Sequence, residues 1–173
     1  PILAAKAPVF SFSKIGLAEI ALGPEMKSTG EVMGIGKTYS EALYKAVNGA
    51  KMRIPAGGTI LLTVADRDKE EAMHLAEGFR SLGYHIIATE GTGKYFTDHG
   101  MNVDIVKKIH EDGQNIATMI RNGKIDLVVN TLTFGKRPER DGFNLRRMAV
   151  ELAVPCLTSL DTAREVLRVF ANK

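Results

Sequence analysis

The chain has no tryptophan, a single cysteine in 173 residues, and aromatic residues amounting to only 6%. One thiol, Cys156, cannot form a disulfide within the chain and points to a reducing compartment. It lies in the apolar stretch Val154-Pro155-Cys156-Leu157 and reads as part of a buried strand. No apolar run approaches the roughly 20 residues that span a bilayer, and the first residues lack the charged-then-apolar order of a signal peptide. A soluble, cytoplasmic protein is expected. Basic residues alternate with acids instead of forming runs, and the formal net charge is only +3, so a nucleic-acid surface is not expected. His74, His85, His99 and His110 stand in unrelated elements without paired metal-ligand spacing. A P-loop also fails, because Ala88 occupies the place of its first glycine and Lys94 is followed by Tyr95.

What is present, 45% hydrophobic and 25% charged residues, suffices for one well-formed domain and some extra chain. Residues 1–36 differ in texture from the rest: Pro8, Pro24 and frequent glycine and serine interrupt short strand-like pieces such as Val9-Phe10-Ser11-Phe12. Such a stretch does not fold by itself and reads as the tail of a larger domain whose body lies upstream. Residues 37–58 read as a connector helix and linker. Thr38 with Glu41 forms a capping-box pattern, the helix stops at Asn48-Gly49, and Pro55 with Gly57-Gly58 follows.

Residues 59–173 alternate strand and helix patterns. Ile60-Leu61-Leu62-Thr63-Val64 is a continuous apolar run of the kind found in strands buried on both faces. A helix with Ala72, Leu75, Ala76, Phe79 and Leu82 on one stripe follows, then a strand over residues 84–89. Thr89-Glu90-Gly91-Thr92-Gly93 reads as a glycine turn before a short helix beginning near Lys94. A weak strand near Val103 to Val106, a helix marked by Ile116, Met119 and Ile120, and a strand Ile125-Asp126-Leu127-Val128-Val129 come next. After a loop over residues 131–142, Leu145, Met148, Ala149 and Leu152 mark a helix. The Cys156 strand and a terminal helix with Leu160, Ala163, Val166, Leu167 and Phe170 inward complete five βα units.

This alternation predicts an α/β fold, a five-stranded parallel sheet with helices on both faces, with every strand-to-helix loop at one edge. Ligands of such sheets bind at that edge. There Thr89, Thr92, Thr131, Thr133, Lys69 and Lys136 would gather hydroxyl and ammonium donors, while Gly91 and Gly93 let backbone N–H groups approach an anion. A small phosphorylated ligand is the expectation.

Two sets of residues also carry a resemblance. Gly23-Pro24-Glu25-Met26-Lys27-Ser28-Thr29-Gly30-Glu31-Val32-Met33-Gly34 resembles the segment closing the second ATP-grasp half of the carbamoyl-phosphate synthase large subunit, and Lys6-Ala7-Pro8-Val9-Phe10-Ser11-Phe12 resembles the strand before it. Asp68-Lys69-Glu70, Ala88-Thr89-Glu90-Gly91-Thr92, Lys108-Ile109-His110-Glu111, Asn130-Thr131-Leu132-Thr133, Asp141-Gly142-Phe143 and Arg146-Arg147 resemble the methylglyoxal-synthase-like regulatory domain that ends the same subunit. The resemblance implies a non-catalytic, effector-binding piece of an ATP-dependent, glutamine-hydrolysing ligase serving pyrimidine and arginine biosynthesis. Its effector would be UMP, IMP or phosphoribosyl pyrophosphate, held by Lys69, Thr89, Gly91, Thr92, Lys108, Asn130, Thr131 and Thr133, with Gly93, Lys136 and Arg137 as further phosphate contacts.

It also implies no cofactor and no metal in this stretch, with ATP, magnesium and potassium belonging upstream. The partners would be the remainder of the large subunit, the small glutamine-hydrolysing subunit and further copies of the chain, with neither nucleic acid nor membrane. Two departures qualify this. Ala7 stands where ornithine-activated members carry a glutamate, and the strand ending in Asn130-Thr131-Leu132 lacks the aspartate that methylglyoxal synthases place there as a proton acceptor. An interaction module within the same subunit is the alternative, and a lyase the remoter one.

Overall fold

A computed structural model of the chain describes residues 1–11, 25–132 and 141–172. The strand pieces at the start form β1 (Leu3–Val9) and β2 (Gly30–Gly36), an antiparallel pair in register from Leu3 opposite Gly36 to Val9 opposite Gly30. Phe12 and residues 13–24, including Gly23 and Pro24, lie outside the described residues. Helix α1 (Tyr39–Gly49) lies across one face of this pair, burying Ala42 and Ala46. The glycines of β2 are what allow it: a Cβ at Gly34 would collide with the backbone of Ala42 and Ala46, and one at Gly36 would come 2.7 Å from Ala42 N. Small residues on both sides bring strand and helix backbones into contact.

The N-terminus of α1 is capped by Thr38, whose hydroxyl accepts from Glu41 N–H at 3.2 Å. Glu41 reaches one residue further back than a capping box requires and accepts from Lys37 N–H at 2.7 Å. The Lys45 ammonium and that Lys37 N–H hold the Glu41 carboxyl below its ordinary range. On the other side, Tyr44 meets Phe170 edge-on at 6.3 Å, joining this layer to the last helix.

The remainder is a parallel sheet of β3 (Gly58–Thr63), β4 (Tyr84–Thr89), β5 (Asp104–Val106), β6 (Leu127–Asn130) and β7 (Cys156–Leu157), in the order β5-β4-β3-β6-β7. The apolar run expected to be buried on both faces is the central strand, with Ile60, Leu61 and Leu62 at most 1% exposed. Alternate residues serve opposite faces. Ile60, Leu62, Ile86, Ala88, Leu127 and Val129 pack with α2 (Lys69–Ser81), α3 (Glu90–Asp98) and α6 (Leu160–Ala171). Leu61, Ile87 and Val128 pack with α4 (Ile116–Arg121) and α5 (Asp141–Glu151).

The α2 stripe is as the periodicity requires, with Ala72, Leu75, Ala76 and Phe79 buried. Three details differ from the sequence reading. Strand β6 begins at Leu127, because Ile125 belongs to the core under α4 while Asp126 exchanges hydrogen bonds with Thr59. Leu152 is exposed, since α5 has already ended. Cys156 is only half-buried, being on the edge strand. Among the described residues no helix is long and apolar enough to cross a membrane.

The Gly34 contact makes a simple prediction. Gly34→Ala should destabilise the packing of α1 on β2 by about 1–3 kcal/mol, the usual cost of forcing atoms into a filled site. Cleavage between residues 36 and 58 in limited proteolysis should accelerate accordingly, whereas a rate equal to the parent's would contradict the contact.

Candidate functional site

All five strands run parallel, so their carboxyl ends share one edge. From β3 the chain proceeds to β4 and β5 on one side, then returns to place β6 and β7 on the other. The connections leaving β3 and β6 therefore diverge, which opens a crevice between those two strand ends. Of the residues selected from the sequence, Thr92, Asn130 and Thr131 meet at these strand ends, whereas Lys108 follows β5, two strands away from β3.

The segment leaving β3 is held from both sides. Thr92, in the first turn of α3, accepts from Val64 N–H at 3.2 Å, and Thr131, just past β6, accepts from Ala65 N–H at 2.9 Å. Asn130 Nδ2 donates to Thr63 O at 3.0 Å. Three consecutive residues of one exit segment are thus satisfied by three side chains. Each threonine hydroxyl, acting there as acceptor, keeps its own proton for another partner.

Helix α3 begins at Glu90, directly after β4, so the expected glycine turn is the first helical turn instead. Thr89 holds the N-cap position in an extended conformation (φ −68°, ψ 156°), buried, and its side chain makes no capping hydrogen bond. The first N–H groups of a helix have no partner within it, so a threonine that does not cap leaves them directed out of the sheet edge, where the helix dipole favours an anion. The two glycines play different parts. Gly91 is exposed, and a Cβ there would come no nearer than 4.0 Å to Lys69 Nζ. Gly93 is buried with Ile105 Cγ1 2.9 Å from the position of its missing Cβ, so it serves the packing of α3 on β5.

Lys69 opens α2, and its side chain is only 15% exposed. Its ammonium lies 2.8 Å from Asp66 Oδ1 and 5.8 Å from the centre of the Tyr95 ring, which in turn stacks on His99 at 4.1 Å. The cation thus stands beside the start of α3. Its counter-ion Asp66 is almost fully exposed, a weak hold for a competing anion to displace.

Lys108 stands exposed beyond β5, its N–H accepted by Glu111 at 3.0 Å, next to the strand that ends in Thr89. Thr133, Lys136 and Arg137 lie outside the described residues. Among the described residues no three histidine, cysteine or acidic side chains are grouped so as to hold a metal ion.

Sequence reasoning did not single out Arg146 as a site residue. It is 6% exposed on the inner side of α5 and donates from Nη1 to Asn130 Oδ1 at 2.6 Å. The available signal was its place in the helix: Gly142, Leu145 and Ala149 define an inward face, and Arg146 falls within it.

The two glycines separate experimentally. Gly91→Ala should raise stability by up to about 1 kcal/mol through helix propensity while placing a methyl at the mouth of the site. Gly93→Ala should gain less, because Ile105 must swing aside. Unfolding curves showing the reverse order would contradict the assignment of roles.

Two comparisons bear on what this arrangement belongs to. A crystal structure of methylglyoxal synthase from Elizabethkingia anophelis NUHP1 superposes with a TM-score of 0.50 at 21% identity, covering 66% of this chain and 79% of that one. A structure titled "Crystal structure of ForH" gives 0.47 at 20% identity, covering 68% and 81%. At such identities the first speaks for the fold alone. Residues 71–158 match the family model described as the MGS-like domain, and the chain belongs to that family.

Proposed function

We propose that this chain is the effector-binding end of a carbamoyl-phosphate synthase large subunit, where UMP or a related phosphorylated nucleotide, or phosphoribosyl pyrophosphate, binds and tunes carbamoyl phosphate synthesis. The observation that carries the reading is the start of α3. An N-cap threonine that does not cap, an open Gly91 and the Lys69 ammonium leave N–H donors and a cation at one point of the crevice. Thr131, Asn130 and Lys108 stand at the same sheet edge, and Thr133, Lys136 and Arg137 extend the proposal beyond the described residues.

The N-terminal layer fits a place inside a longer subunit. Residues 1–36 are proposed as the tail of an ATP-grasp domain, residues 37–58 as the joint, and residues 59–173 as the regulatory domain. Supporting this, the face of β1–β2 away from α1 exposes Met33 and Ile35, at 59% and 47%, with Ile2 beside them. The same face carries the exposed Lys6–Glu31 ion pair, and apolar side chains exposed beside charges favour association with the remainder of the subunit. Ala7 is buried on the α1 side, so no carboxylate for an ornithine ammonium is supplied from that position. Ligase chemistry, with its ATP and metal ions, is assigned to the upstream part, and the glutamine-hydrolysing subunit to the full complex.

A lyase reading would need a carboxylate at the end of β6. The group at the end of β6 is an amide, whose oxygen already accepts from Arg146 and whose nitrogen donates to Thr63 O. An amide cannot abstract a proton.

Calorimetry with UMP tests the reading. Thr92→Val should weaken binding by about 1–3 kcal/mol, the cost of an unmet hydrogen bond, and it also strips Val64 N–H of its acceptor; Thr92→Ser should retain both. Lys69→Ala should bind more weakly and with a flatter dependence on salt. Parental affinity in Thr92→Val and Lys69→Ala together would remove the site.

The lyase alternative has its own test. The chain should release no inorganic phosphate from dihydroxyacetone phosphate, and Asn130→Asp should not create that activity. The new carboxylate would lie against Arg146, which lowers its pKa below the ordinary value near 4, so it is ionised and repels phosphate at neutral pH. Nucleotide affinity should therefore fall as pH rises through the acidic range. Phosphate release above a heat-denatured control would overturn the regulatory reading.

A further inference from the structure

We propose that Arg146 is a positioning residue of this site, which locks the Asn130 amide so that it offers an N–H donor, and not its oxygen, to the crevice. The ligand atom meeting Asn130 is then a hydrogen-bond acceptor, as on a phosphate or a carbonyl group, and not an amine or hydroxyl proton. The inference rests on the reading of this edge as an anion site and adds to it which side of the amide the ligand sees.

The geometry leaves the amide one orientation. Asn130 is 4% exposed and Arg146 6%, so water competes little for either group. The guanidinium donates to Oδ1 at 2.6 Å, a short charge-assisted bond, and Nδ2 donates to Thr63 O at 3.0 Å. Turning the amide over would set its NH2 against the guanidinium and its oxygen against the Thr63 carbonyl. Two hydrogen bonds would become two repulsions. Of the two Nδ2 protons one is committed to Thr63 O, and the other remains.

Gly142 completes the arrangement. A Cβ at that position would stand 3.2 Å from Arg146 Nη1, 3.5 Å from Asn130 Oδ1 and 3.7 Å from Nδ2. A glycine in the first turn of α5 therefore spares the guanidinium a close contact, while a side chain there would only touch the amide at ordinary distance. Because the donor partner is a cation and not a neutral group, the amide is also polarised, which strengthens the remaining N–H toward an anion.

A double-mutant cycle distinguishes positioning from a general effect of charge. UMP and inorganic phosphate are titrated into the parent chain, Arg146→Met, Asn130→Ala and the double variant, with thermal unfolding recorded for each. Each single change should lower UMP affinity about tenfold, equivalent to about 1.4 kcal/mol. The double variant should be no worse than Asn130→Ala within about threefold, because Arg146 acts through the amide. Multiplying losses, or parental affinity in Arg146→Met, would overturn the inference while leaving the anion site standing. Absence of UMP and phosphate binding by the parent chain would remove the site reading and this inference with it. If Arg146→Met does not fold, Arg146→Leu, which also lacks a donor, replaces it in the same cycle, and the same additivity decides.

Discussion

The carboxyl edge of the sheet depends on how the chain leaves its central strand. β3 is buried on both faces, and its exit runs past Thr63, Val64 and Ala65, where sheet pairing stops and backbone groups would go unpaired. Buried backbone groups without partners are costly. Three neighbours meet that demand: Asn130 from β6, Thr131 just beyond it, and Thr92 from α3. Fixing the exit in this way also fixes the spacing of the strand ends and the placement of α3, and hence the crevice itself.

The same side chains therefore serve the fold and the proposed ligand. A threonine hydroxyl can do both, because it accepts with oxygen lone pairs and donates with its proton. An amide can do both only if its orientation is set, which the Arg146 guanidinium does from within α5. Cations at this edge differ in character. Lys69 is a mostly sheltered ammonium with an exposed carboxylate beside it, ready to exchange partners, whereas Arg146 is a buried part of the framework.

Particular elements show how far the sequence could be read. The apolar run of β3 and the stripe of α2 were legible because burial on two faces or on one leaves a periodic record. The start of α3 was not. Gly91 and Gly93 suggested a turn, but glycine marks close approach as well as tight turning, and at Gly93 the approach is to Ile105 inside a helix. In β2 the glycines again meant contact, with α1 lying directly on Gly34 and Gly36.

By itself, then, the sequence determined the class of fold and that Lys69, Thr89, Thr92 and Thr131 fall at the carboxyl edge of the sheet. These follow from local periodicity and from the topological rule that parallel strands end together. The tertiary structure alone decided what each group does. That Thr92 and Thr131 close the exit of β3, that Thr89 leaves the helix uncapped, and that Arg146 reaches Asn130 across 16 residues of chain depend on contacts between separate elements. Such contacts are set by packing in three dimensions, and no spacing along the chain records them.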